Sequence, residues 1–112
     1  MKVKVIAAHQ SLYPQPITFR RGDTLQLGRI DDEYPNWIRV ITADGNEGWA
    51  PLQFIERLSA EQGRAICQYS AFELNTEVGE VLVAQQHLND WYLATNALGV
   101  TGWVPAKTVT LV

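Results

Sequence analysis

The sequence predicts an all-β chain of two tandem modules, each a five-stranded small barrel. Three observations carry that expectation. A Trp-to-Pro stretch occurs twice, as Trp37 to Pro51 and again as Trp91 to Pro105, and both copies read Trp, x5, Ala, x, Gly, x2, Gly, Trp, x, Pro. Apolar and polar residues alternate with the two-residue period of a half-buried strand, in short runs divided by Gly- and Pro-containing turns. Hydrophobic residues are 46% and charged residues 19% of the 112 positions, a folded composition. Halved by the duplication, the chain gives modules of about 50–60 residues, near the lower limit for a self-sufficient core.

Taken in order, Lys2-Val3-Lys4-Val5-Ile6-Ala7 alternates and reads as a strand with Val3 and Val5 inward. His9 to Pro16 carries Pro14 and Pro16 and reads as a loop. Ile17-Thr18-Phe19 resumes the alternation, and Arg20-Arg21-Gly22-Asp23 is a turn with Gly where a positive φ is needed. Thr24 to Leu27 is the next strand, and Asp31 to Asn36 an acidic loop. In the duplicated stretch, a strand runs into a Gly turn and a short return strand ends at a Pro, which has no N–H to donate. Leu52 to Arg57 is a tight turn leading into a closing strand.

These signals divide the chain into a first module at residues 1–57, a polar linker at 58–63 and a second module at 64–112. Trp37 and Trp91, Gly45 and Gly99, and Pro51 and Pro105 are each 54 positions apart. Earlier pairs are further apart, 57 for Leu25 and Leu82 and 60 for Val5 and Ala65, so the second module has lost residues from two loops. Alternation alone puts Val3, Val5, Ile17, Phe19, Leu25, Leu27, Val40, Ala50 and Ile55 inside the first module. It puts Ala65, Leu74, Leu82, Ala84, Ala94, Val104 and Val109 inside the second, which is the smaller core.

Ala65-Ile66-Cys67-Gln68-Tyr69, Glu73 to Glu80, Trp91-Tyr92-Leu93-Ala94 and Gly102 to Val109 resemble, in order, the four sequence motifs of the Src homology 3 (SH3) family. Val5 to His9, Pro16 to Asp23, Trp37 to Val40 and Gly48 to Ile55 are the counterparts in the first module. The whole chain looks most like bacterial tandem SH3-like proteins of the cytoplasm. The resemblance implies a shallow aromatic face on each barrel that receives an extended or proline-rich segment. Carried over by position, the first face comprises Ala7, His9, Trp37, Trp49, Pro51 and Phe54, and the second Cys67, Tyr69, Trp91, Trp103, Pro105 and Thr108. Both lack the first Tyr of the family's opening motif, and His9 and Thr108 each replace a further aromatic.

Trp37 and Trp91, at strand starts beside a loop, are expected to show at least one face to solvent, while Trp49 and Trp103 serve either recognition or sealing of the barrel. The resemblance gives Asp32, Glu33 and Glu73 the role of holding an Arg or Lys of the ligand. For Asp32 and Glu33 a solvated loop is the alternative.

The net charge of −3 and the lack of any basic run beyond Arg20-Arg21 speak against nucleic acid as a partner. Val5-Ile6-Ala7-Ala8 is too short for a signal or membrane segment, and the single Cys67 forms no internal disulfide, so a cytoplasmic protein is expected. No catalytic motif, metal-ligand spacing or cofactor loop occurs: His9 and His87 fall at non-equivalent places, and Cys67 has no His motif beside it. The expectation is therefore a non-enzymatic module that binds a protein or peptide, without metal or cofactor. The alternative is a structural or oligomerisation module, including a homodimer. Cell-wall peptide binding ranks lower, for want of an export signal and an attached enzyme.

Overall fold

A computed structural model describes residues 1–112. The chain is all-β, with two single-turn 3-10 helices and no α-helix. It divides into a continuous unit, Gln15–Ala71, and a discontinuous unit made of Met1–Pro14 and Phe72–Val112.

The continuous unit contains β2 (Thr18–Phe19), β3 (Thr24–Ile30), β4 (Trp37–Ile41), β5 (Glu47–Pro51), β6 (Ile55–Arg57), β7 (Gln62–Ala65) and β8 (Tyr69–Ser70). Its main sheet runs β5-β4-β3-β7-β6, and β2 pairs with β8 as a separate ribbon. The discontinuous unit contains β1 (Lys2–Val5), β9 (Val81–Leu88), β10 (Trp91–Thr95), β11 (Thr101–Pro105) and β12 (Val109–Leu111), in the order β11-β10-β9-β1-β12. All main-sheet pairings are antiparallel. Both are open sheets rather than the closed barrels expected from the sequence.

The two sheets share one strand order, yet the first strand of each repeat lies in the sheet of the other. β1 sits between β9 and β12, with Val3 opposite Leu82 and Val5 opposite Val109. β7 sits between β3 and β6, with Gly63 opposite Leu25 and Ala65 opposite Ile55. The stretch expected as a linker at 58–63 lies inside the continuous unit. Leu58 and Ser59 donate their N–H groups to the Gln62 carbonyl at 2.9 and 3.1 Å, closing a β6–β7 hairpin where a linker was expected. A short loop pairs neighbouring strands at little entropic cost, and β1 then fills the equivalent place beside β9.

Side-chain volumes favour the same exchange. Gly63 has no room for a side chain: a Cβ there would lie 2.6 Å from Ile55 Cγ2 and 3.2 Å from Leu27 Cδ1. Val3 is the counterpart of Gly63 in the repeat, and in its place would meet that crowding, which costs about 1–3 kcal/mol. In the discontinuous unit Ala84 and Val109 stand where the other unit has Leu27 and Ile55, and Val3 fits there fully buried. With Gly63 in that place, roughly 1.5–3 kcal/mol of valine burial would be lost. The bulky first strand thus completes the core poor in volume, and the slight one completes the core already filled.

Val3, Val5, Leu74, Leu82, Ala84, Ala94, Val104 and Val109 form that discontinuous core, with Tyr92 packed against it. Ile17, Phe19, Leu25, Leu27, Val40, Ala50 and Ala65 are also buried, together with Ile38. Ile55 is only half-buried. Both hairpins turn on a left-handed glycine, Gly45 at φ +85° and Gly99 at φ +84°, where a Cβ would be strained.

Candidate functional site

In both units β4 or β10 opens with a Trp whose cross-strand partner is the Pro that ends the next strand: Trp37 opposite Pro51, and Trp91 opposite Pro105. The residue before each Trp has a positive φ, Asn36 at 70° and Asp90 at 68°. Their carbonyls accept the N–H of Leu52 at 2.9 Å and of Ala106 at 2.8 Å. These bonds tie the 3-10 turns Leu52–Phe54 and Ala106–Thr108 beside the Trp–Pro pairs. Each face is therefore built from two strands and one turn, locked by backbone bonds independent of side-chain choice.

The strand exchange redistributes the residues that flank these pairs. Tyr69, expected with Trp91 and Trp103, lies in the continuous unit. Its ring is 5.2 Å from that of Phe19 and 5.7 Å from that of Phe54, and its hydroxyl donates to the Trp49 carbonyl at 2.9 Å. At 5% exposure it serves packing and a backbone bond. Cys67 moves with it, and partial burial pushes its thiol pKa up.

His9, expected with Trp37, lies in the discontinuous unit. Its backbone pairs with Thr76, its ring stands edge-on to Trp91 at 5.8 Å, and Nε2 lies 2.8 Å from Glu73 Oε1. The carboxylate expected to meet a ligand cation thus already has a partner within the chain. Glu73 also bridges Trp103, as Trp103 N–H donates to the Phe72 carbonyl at 2.9 Å and Leu74 N–H to the Trp103 carbonyl at 3.0 Å.

The tryptophans divide differently from expectation. Trp37 is 6% and Trp103 3% exposed, whereas Trp49 and Trp91 are half-buried. Trp37, expected to show a face, is buried, whereas Trp91 in the same Pro-opposed, turn-tied setting is half-buried. Pro51 and Pro105 are buried, and Phe54 is half-buried. Thr108 is buried, its hydroxyl donating to the Pro105 carbonyl at 2.7 Å. Asp32 and Glu33 are exposed in the loop before Trp37.

Two residues absent from the sequence-based set stand against Trp49. The guanidinium carbons of Arg29 and Arg39 lie 5.2 and 5.4 Å from the centre of its ring, within cation–π range. The hairpin register that pairs Trp37 with Pro51 also pairs Arg39 with Trp49, so this contact was legible from the duplicated stretch. No three His, Cys, Asp or Glu side chains converge as metal ligands.

Open antiparallel sheets, each carrying a Trp–Pro pair, define a small all-β protein. The chain belongs to the variant SH3 domain family, whose sequence pattern matches residues 2–58. That stretch begins with β1, which pairs in the other unit, so the match follows strand order along the chain and not sheet membership. No curated protein and no solved structure matches the chain. SH3 domains in general mediate protein or peptide interactions. No helix is long and apolar enough to cross a membrane.

Proposed function

We propose that the chain is a non-enzymatic module holding an extended protein or peptide segment, proline-rich segments included, across its Trp–Pro faces. Both repeats are SH3-like on this reading, the second at residues 64–112 having shorter loops, and each face draws its flanking residues from the other repeat's first strand. The observation that supports it best is the recurrence of one construction in two units. A Trp–Pro pair is clamped by a 3-10 turn in each, and the half-buried indole is the paired Trp91 in one unit and the neighbouring Trp49 in the other. Half-buried indoles offer a flat apolar surface to a preformed polyproline helix, which loses little entropy on binding.

The reading keeps a bacterial cytoplasmic setting, in keeping with the lone unpaired Cys67. A structural or self-associating role is the second reading, favoured by the burial of Trp37 and Trp103. Titrating ¹⁵N-labelled protein with a proline-rich peptide separates the two. Binding moves the indole N–H signals of Trp49 or Trp91, and Trp91→Ala weakens it on the discontinuous unit. Unmoved indoles, with a concentration-dependent dimer, would favour self-association.

A further inference from the structure

The continuous unit carries a cationic row that its counterpart lacks. Trp49 on β5 is directly opposite Arg39 on β4, and Arg29 lies on the adjoining strand β3. Both guanidinium groups reach the Trp49 ring, and Arg39 is held in place where β3 has no side chain. A Cβ at Gly28 would lie 3.1 Å from Arg39 Cβ. Neither arginine is in an ion pair, for the pairs present are His9–Glu73 and Arg64–Glu56. In the other unit the corresponding neighbours of Trp103 are Leu93 and Gln86, and Trp103 is buried.

We propose that the Trp49–Arg39–Arg29 row selects an acidic peptide segment, with a Glu or Asp carboxylate held by the two guanidinium groups and adjoining apolar atoms on the indole. The inference rests on the peptide-binding reading above and names its ligand class. Two like charges against one ring repel each other, and a carboxylate placed between them relieves that repulsion while forming charge-assisted hydrogen bonds. The row is set along the strand from the Trp37–Pro51 pair on the same sheet face, so a segment crossing that pair reaches it. Its sign is opposite to that expected from Asp32 and Glu33. Those exposed carboxylates and Asp31 follow Arg29 closely in the chain and oppose a polyanion such as nucleic acid, yet leave room for one carboxylate. Glu47 is the acidic residue on β5 itself, opposite Ile41.

The test uses the whole chain and three synthetic peptides of alternating Pro and one other residue: Glu, Gln or Lys. The Glu peptide is expected to bind about tenfold more tightly than the Gln peptide, to shift the Trp49 indole signal and to weaken as salt rises. Arg29→Gln and Arg39→Gln should each erase most of that advantage without changing Gln-peptide binding or the remaining spectrum. Equal binding of the Glu and Gln peptides, or preference for Lys, would overturn the acidic assignment while leaving the peptide-binding reading intact. If no peptide moves any indole, both fall. Inorganic phosphate producing the same shifts at the same concentration would make the row a general anion site and also overturn the assignment.

Discussion

Gly63→Ala tests the strand exchange through packing alone. The new methyl would stand 2.6 Å from Ile55 Cγ2, 3.2 Å from Leu27 Cδ1 and 3.3 Å from the Glu56 carbonyl oxygen. Ile55 is β-branched and cannot swing its Cγ2 away cheaply. Overpacking costs about 1–3 kcal/mol, against roughly 0.4–1 kcal/mol regained from a less flexible unfolded chain. The net expectation is a loss of about 1–2 kcal/mol, read by urea denaturation. The decisive readout is a double-mutant cycle. Ile55→Ala removes the obstructing methyl, so Gly63→Ala on that background should cost nearly nothing, a coupling of about 1–2 kcal/mol. Val109→Ala, the equivalent change in the other unit, should be additive with Gly63→Ala within about 0.5 kcal/mol. Coupling to Val109 with none to Ile55 would place the 62–65 strand in its own repeat and refute the exchange.

Other consequences follow from single contacts. Tyr69→Phe leaves the Trp49 carbonyl without its hydroxyl donor at 2.9 Å and should lower stability by about 1 kcal/mol in denaturation, while the aromatic cluster persists. Asp44 has its carboxyl pKa lowered, first by the Thr42 hydroxyl and then by the Asn46 N–H. Because the folded pKa lies below the unfolded one, its contribution is present above the ordinary carboxylate range and is lost as pH falls through the folded value. Asp44→Asn should therefore flatten the acid end of the stability–pH curve. Cys67, its thiol pKa raised by burial, should react with a disulfide reagent at neutral pH more slowly than a free cysteine, and speed up on denaturation.

Much of the local structure was legible in the sequence because its physics is local. The alternation identified the buried face of every strand correctly save at Ile55, which the sheet edge leaves half-buried. The hairpin turns were fixed by Gly45 and Gly99, and the register by the Trp and Pro that bracket them. Which strand pairs with which was not legible. Period two states which way Val3 and Gly63 point and is silent on the partner, although the mismatch of Val3 with Leu27 and of Gly63 with Ala84 was written in the two repeats. For the same reason the sequence grouped His9 with Trp37 and Tyr69 with Trp91 and Trp103, whereas the exchange sets each in the other unit. The contact of His9 with Glu73 could not be found once the two had been placed in different modules. Burial of Trp37 was not legible either, since Trp91 shares its strand position, its opposed Pro and its tied turn, yet is half-buried.

The most direct test is a methyl NOE spectrum of the unmodified protein. Val3 and Val5 should show cross-peaks to Leu82 and Val109, placing the first strand with the second repeat. Cross-peaks from those valines to Leu25, Leu27 and Ile55 would contradict it, and with it the composition of both candidate faces.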